Sequence, residues 1–338
     1  MKKIEKARLP ELFAALNETA ALYLPADRDG VAAFTRWQEG VALTEKLNTV
    51  RSAKDLFFPQ VETLANFKTQ GGTIEIEDAA RQDEDFIVFG VRACDLRSFE
   101  ILDRVFLAEP QDTFYKARRE HATIITLACN APEETCFCTA FSIDAADPQG
   151  DVTAFLTDTA LCLRANTEKG ENLLAKLPLS DGAESEIAAW QTQARETLEK
   201  LPIQLDLSGF TGERMMELFH HPAWQPLSEA CLGCGTCTFV CPTCQCYDVK
   251  DFKTKDGVQR FRCWDSCMYS DFTMMSAGQP RPTQKERFRQ RFMHKLVYYP
   301  MNNEGIFSCV GCGRCLQKCP IHMNIVKVAK TLGGERDA

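Results

Sequence analysis

The sequence predicts an α/β domain with a mostly parallel sheet, followed by a mainly helical, cysteine-rich domain. Three observations lead there. Phe86–Arg92 and Ala122–Cys129 are short apolar and β-branched runs, FIVFGVR and ATIITLAC, of the kind that form buried strands. The stretch between them has helical spacing, and strand–helix–strand order marks a parallel sheet. Twelve of the 17 cysteines fall between Cys231 and Cys319.

Along the chain, residues 7–22 have the apolar spacing of a helix. Ser52–Phe67 reads as helical in its second half, and Thr73–Glu77 as a strand. After the first buried strand, Asp95–Phe106 reads as a helix with Asp95 as its cap. Val152–Thr157 and Leu161–Ala165 extend the sheet beyond the second buried strand. Residues 166–208 are rich in Glu, Asp and Gly and look like a join, with one helix near Glu184–Lys200. The reading is therefore an α/β domain over 1–208 and a second domain over 209–338. In the second, short helices from Glu213 lead into the cysteine motifs, and residues 243–308 form an insertion between them.

Charge divides the same way. Residues 1–229 carry a net −15 and residues 230–338 a net +7, which fits two domains or docking surfaces for partners. Residues 281–295 hold six Lys and Arg against one acid, with Phe288, Phe292 and Leu296 at helical spacing. The whole chain is acidic and has no nucleic-acid motif, so a packed helix with an Arg face toward a partner or a metal centre is expected, and no nucleic acid. No stretch reaches the roughly 18 apolar residues of a membrane span. The N-terminus lacks the apolar core of a signal peptide. A cytoplasmic protein is expected, and there dense cysteines bind metal more often than they pair as disulfides.

Two runs carry the chemistry. Cys231-Leu-Gly-Cys234-Gly-Thr-Cys237-Thr-Phe-Val-Cys241-Pro242 and Cys309-Val-Gly-Cys312-Gly-Arg-Cys315-Leu-Gln-Lys-Cys319-Pro320 both match C-x₂-C-x₂-C-x₃-C-P. This is the run that wraps three thiolates of one loop around a [4Fe–4S] cubane, while the fourth cysteine serves the other cluster. Cys231, Cys234, Cys237 and Cys319 are thus expected around one cluster. Cys309, Cys312, Cys315 and Cys241 are expected around the other, in a two-cluster ferredoxin-like domain. Zn²⁺ is the competing metal for four cysteines.

The remaining cysteines fall into two groups. Cys94 and Cys129 end the two buried strands, and Cys136-Phe-Cys138 follows on the next loop. Ligands gather beyond the carboxyl ends of parallel strands. A third centre at Cys94, Cys129, Cys136 and Cys138 is expected, as a [4Fe–4S] cluster first, Zn²⁺ second and buried thiols third. Cys244, Cys246, Cys263 and Cys267 either ligate a further cluster or line the first cluster's pocket.

No G-x-G-x-x-G follows a strand, and no phosphate-binding G-x₄-G-K-[ST] or Ser-His-Asp signature occurs. Electrons are thus expected to enter and leave through partners. The alternative is a catalytic subunit that reduces a sulfur or disulfide substrate at an unusual cluster near Cys244, Cys246, Cys263 and Cys267.

A family resemblance adds to this. Cys241-Pro-Thr-Cys244-x-Cys246, Trp264-Asp265-Ser266-Cys267, Arg291-x₂-His294-Lys295 and Cys309-Val-Gly-Cys312-Gly-Arg-Cys315 resemble the 4Fe-4S dicluster subunit of anaerobic sulfite reductase. They equally resemble the beta subunit of sulfhydrogenases, the sulfur-reducing NiFe hydrogenases. The resemblance continues through Ser52-x-Lys54-x₂-Phe57-Phe58-Pro59-Gln60-x-Glu62, Gly90-Val-Arg92-x-Cys94-Asp95-Leu96 and Cys136-Phe-Cys138, and so covers most of the chain. It implies an iron–sulfur electron-transfer subunit of a cytoplasmic complex. A flavin subunit handling NAD(P)H would be one partner. A catalytic subunit of sirohaem, NiFe or heterodisulfide-reductase type would be the other. Cys263 departs from the family pattern.

Overall fold

A computed structural model of the chain describes residues 1–46, 48–182 and 184–333, with backbone alone at 70 and 186. Its strands are β1 (Lys2–Glu5), β2 (Ala21–Arg28), β3 (Val31–Arg36), β4 (Val61–Gln70), β5 (Thr73–Asp78), β6 (Phe86–Val91), β7 (Ala122–Leu127), β8 (Val152–Leu156), β9 (Ala160–Ala165), β10 (Ser180–Asp181), β11 (Tyr247–Lys253) and β12 (Gly257–Trp264). Eight of them form one sheet in the order β10-β1-β9-β8-β7-β6-β2-β3.

The centre of this sheet is parallel, with β2, β6, β7 and β8 side by side. Its flanks are antiparallel, because β3 and β9 return from short turns and β1 and β10 add beyond β9. The sheet is therefore mixed rather than mostly parallel. Every residue of β6 is buried, as a central strand covered on both faces requires. Ile87 and Phe89 face a core with Leu12 and Leu16 of the helix Leu9–Thr19. Phe86 and Val88 face the other way, onto Phe57, Phe99, Leu102 and Tyr115. The 7–22 helix thus ends at Thr19, and Ala21 and Leu22 already belong to β2.

The segment Ser52–Phe67 reverses its expected reading. A short helix, Lys54–Phe57, occupies the first half, and β4 occupies the second. Pro59 ends the helix. β4 then pairs with β12, whose residues lie some 190 positions later, and no local pattern announces such a partner. Together β11, β12, β4 and β5 make a second, antiparallel sheet. Two of its strands come from before residue 208 and two from the 243–308 insertion. Arg262 on β12 is buried and pairs with Glu62 on β4 and with Asp112, fastening the hairpin to the body.

The carboxyl end of β6 is shaped by a bulge at Gly90, where φ is +84°. A Cβ there would lie 2.9 Å from Pro25, so the turn needs glycine. The helix Ala93–Phe106 follows directly and begins at Cys94's own turn. Asp95 does not cap it. Its carboxylate instead takes two hydrogen bonds from Arg314, at 2.5 and 2.8 Å, in a pair that is 2% and 1% exposed.

Candidate metal centres

The structure brings the cysteines together around three cavities. Cys231, Cys234, Cys237 and Cys319 line the first, with Met268, Phe288, Phe292 and Met323 closing its apolar walls. Cys241, Cys309, Cys312 and Cys315 line the second. The fourth cysteine of each run has thus crossed to the other run's loop. Cys94, Cys129, Cys136 and Cys138 line the third, beyond the ends of the adjacent parallel strands β6 and β7.

Local geometry explains the loops. Gly233, Gly235, Gly311 and Gly313 all have φ between +60° and +75°, which lets each run coil tightly ahead of its short helix. At Gly311 and Gly313 close approach matters as well. Added Cβ atoms would meet Phe137 O at 2.4 Å and Thr135 Oγ1 at 2.5 Å. The second run therefore lies directly on the Cys136–Cys138 loop. Phe137 N donates to Gly311 O at 2.8 Å, and Asn48 Nδ2 donates to Cys312 O at 3.2 Å. Cys312 lines both the second and the third cavity. Arg291 lines both the first and the second. The three cavities stand in series, with the second in the middle.

The sulfurs surround space rather than a point. Among the described residues, no three His, Cys, Asp or Glu side chains are arranged to hold a single metal ion.

Burial dominates the thiols. It pushes Cys136 up to about 11, and Cys138 and Cys309 up to about 12. It also raises Cys94, Cys129, Cys237, Cys312 and Cys315. Neutral thiols are what an apolar wall favours, and thiolates require a compensating positive core. Cys234, the exposed member, is held below its usual range by the Thr236 hydroxyl and amide.

Three buried cations surround the same walls. Lys54, Arg291 and Lys295 are 2%, 3% and 3% exposed. Among the described residues none of them has a carboxylate at ion-pair distance. Lys54 Nζ donates to Cys241 O and Cys244 O, each at 3.0 Å, and sits 3.6 Å from the centre of the Trp264 ring. Lys295 Nζ donates to Thr243 Oγ1 and Ser308 O. Arg291 Nη2 donates to Cys237 O at 3.4 Å, and among the described residues its buried Nε has no hydrogen-bond partner. Isolated buried charges are costly by several kcal/mol each. Thiolate-bound [4Fe–4S] cores are anionic, so they fit walls that already hold unanswered positive charge.

The basic segment over 281–295 supplies two of these cations. Its helix, Gln284–Met293, opens on a Thr283–Glu286 capping box and buries Phe288, Arg291 and Phe292. A turn of π-helix, His294–Tyr298, then aims Lys295 inward. The helix thus turns Arg291 toward the first and second cavities. Sequence reasoning placed Lys54 in the family pattern but gave it no role, although a lysine beside Phe57-Phe58-Pro59 is an unusual charge in an apolar context. It also passed over the Asp95–Arg314 pair. The cysteines outside the cavities divide. Cys244, Cys246 and Cys267 gather together, whereas Cys263 stands apart on β12 opposite Asp248. Cys162 is a core residue of β9, packed on Ala128, Phe155 and Ile187.

Residues 230–323 match the 4Fe-4S dicluster domain. Over 332 residues the chain is 30% identical to sulfhydrogenase 2 subunit beta of Pyrococcus furiosus, and the match covers 96% of each protein.

The chain belongs to the sulfhydrogenase beta-subunit family.

No solved structure matches it. In this member of the sulfhydrogenase beta-subunit family, the dicluster match contains every cysteine of the first and second cavities, and of the third cavity's cysteines only Cys312. No helix among the described residues is long and apolar enough to cross a membrane.

Proposed function

We propose that the chain is the electron-transfer iron–sulfur subunit of a cytoplasmic multi-subunit oxidoreductase. It would relay electrons between a flavin subunit that handles NAD(P)H and a catalytic subunit of NiFe, sirohaem or heterodisulfide-reductase type. The observation that carries the reading is the serial placement of the cavities, joined by Cys312 on one side and Arg291 on the other. Residues 209–338 would hold two [4Fe–4S] clusters, on Cys231, Cys234, Cys237 and Cys319 and on Cys241, Cys309, Cys312 and Cys315. Residues 1–208 would hold a third, on Cys94, Cys129, Cys136 and Cys138.

A bound cluster supplies one-electron redox chemistry. The chain's own residues set its surroundings. Phe288, Phe292 and Met323 give the first cavity apolar walls, and Phe137 and Ile325 do so for the second. Arg291 and Lys295 fix positive charge beside the middle cavity, and fixed positive charge favours the reduced state of an anionic group. The exposed Cys234 places the first cavity nearest a surface where a partner can dock.

Anaerobic iron and acid-labile sulfide analysis tests the reading. About twelve irons per chain are expected, four for each cavity. Zero to four irons with stoichiometric zinc would overturn it. A separate variant tests the third centre. Cys94→Ser is expected to lower iron by about four per chain and to leave the other two cluster signals in place. Unchanged iron in a folded Cys94→Ser protein would remove the third centre alone.

A further inference from the structure

Three cysteines outside the cavities form a group of a different kind. The side chains of Cys246 and Cys267 act on each other, and so do those of Cys241 and Cys244. None of Cys244, Cys246 and Cys267 lines any of the three cavities. All three are free thiols, half-buried rather than sealed.

The hairpin builds this contact. Tyr247 on β11 pairs with Trp264 on β12. One step further, Asp265 N donates to Cys246 O at 3.0 Å. The chain then turns at Ser266, whose amide is held by Asp265 Oδ1 at 2.6 Å and whose hydroxyl accepts from Thr238 at 2.8 Å. That turn returns Cys267 toward Cys246. Cys263 takes no part, since it lies within β12 beside Asp248 and Lys250. The contact also reaches both C-terminal cavities. Cys244 interacts with Cys241 of the second, and Cys267 interacts electrostatically with Cys237 of the first.

We propose that Cys246 and Cys267 are a redox-active dithiol–disulfide pair, lying between the first and second cavities. The proposal rests on the reading of those two cavities as [4Fe–4S] sites. On oxidation each thiol loses its proton to solvent, the S–S bond forms, and two electrons leave. One electron goes to the cluster of the first cavity and one to the cluster of the second, each taking a single reducing equivalent. In reverse, two electrons delivered singly and two protons cleave the disulfide and restore both thiols. The pair joins one-electron carriers to a two-electron store, and two thiols brought together at the closing turn of a hairpin suit a disulfide where the open cavities suit clusters.

The test uses the full chain with its clusters, poised anaerobically at a series of potentials. Samples are quenched in acid, alkylated and peptide-mapped by mass spectrometry, and iron is measured on the same samples. A Cys246–Cys267 linked peptide is expected to appear as potential rises, with a tenfold change in the oxidised-to-reduced ratio for every 30 mV or so, the two-electron slope. Cys267→Ser is expected to abolish the link and keep the full iron content. A wild-type chain with full iron that never forms the link overturns the pair. A fall of about four irons in Cys267→Ser overturns it in favour of a cluster ligand. A link that forms while wild-type iron stays below about eight leaves the pair standing and overturns the cluster reading of the two cavities.

Discussion

Replacing Cys319 with serine is expected to destroy the cluster of the first run and to spare that of its own run. Cys319 closes the second motif in the sequence, yet it lines the cavity of Cys231, Cys234 and Cys237. Its Sγ is 3.3 Å from Met323 O, at the mouth of that cavity. Reduced Cys319→Ser should therefore match Cys234→Ser in its electron paramagnetic resonance spectrum, with one cluster signal lost or strongly altered and about four irons at risk. Cys312→Ser should disturb a different signal. If the spectra of Cys319→Ser and Cys312→Ser coincide instead, each run keeps its own fourth ligand and the crossing is wrong.

The second large effect concerns Arg314. It sits inside the second cysteine run, is buried, and clasps Asp95 at the start of the helix after β6. Its Nε also donates to Thr49 O at 2.8 Å. The interaction ties the middle cavity's loop to the sheet that carries the third cavity. Removing one partner of a buried pair leaves the other charge unanswered, which typically costs ~3–5 kcal/mol. Arg314→Met should therefore lower the midpoint of anaerobic denaturant unfolding markedly. Adding Asp95→Leu to the same protein should recover much of the loss, because an apolar pair of similar size replaces two buried charges at little net cost. An Arg314→Met protein with the wild-type midpoint would show that the pair contributes nothing to holding the two parts together.

The cysteine runs were legible because their chemistry dictates spacing, and spacing is written in consecutive residues. The crossing of Cys241 and Cys319 between the cavities follows from the same rule. The central strands β6 and β7 were legible for a similar reason, since a strand buried on both faces must be apolar throughout. What escaped depends on partners distant in the chain. β4 has the composition of a short amphipathic helix until β12 is set beside it. Asp95 occupies an ordinary capping position, and only Arg314, more than 200 residues on, gives it another use. The antiparallel flanks escaped because turns such as that between β2 and β3 reverse the chain in two residues, 29 and 30, without altering the apolar pattern.

The second sheet also sets a timetable for synthesis. β4 and β5 leave the ribosome early, yet the strand that completes them, β12, begins at Gly257. At elongation rates of about 5–20 residues per second, roughly ten to forty seconds separate the two. Through that interval the β4–β5 hairpin is two strands with an unpaired edge, too little to be stable in water. Ile74 and Ile76 on β5 are more than 60% exposed even in the finished fold. The nascent amino-terminal half thus presents an open, apolar edge of the kind that recruits foreign strands. A chain truncated at residue 208 would never leave that state, and its solubility would then depend on what else covers β4.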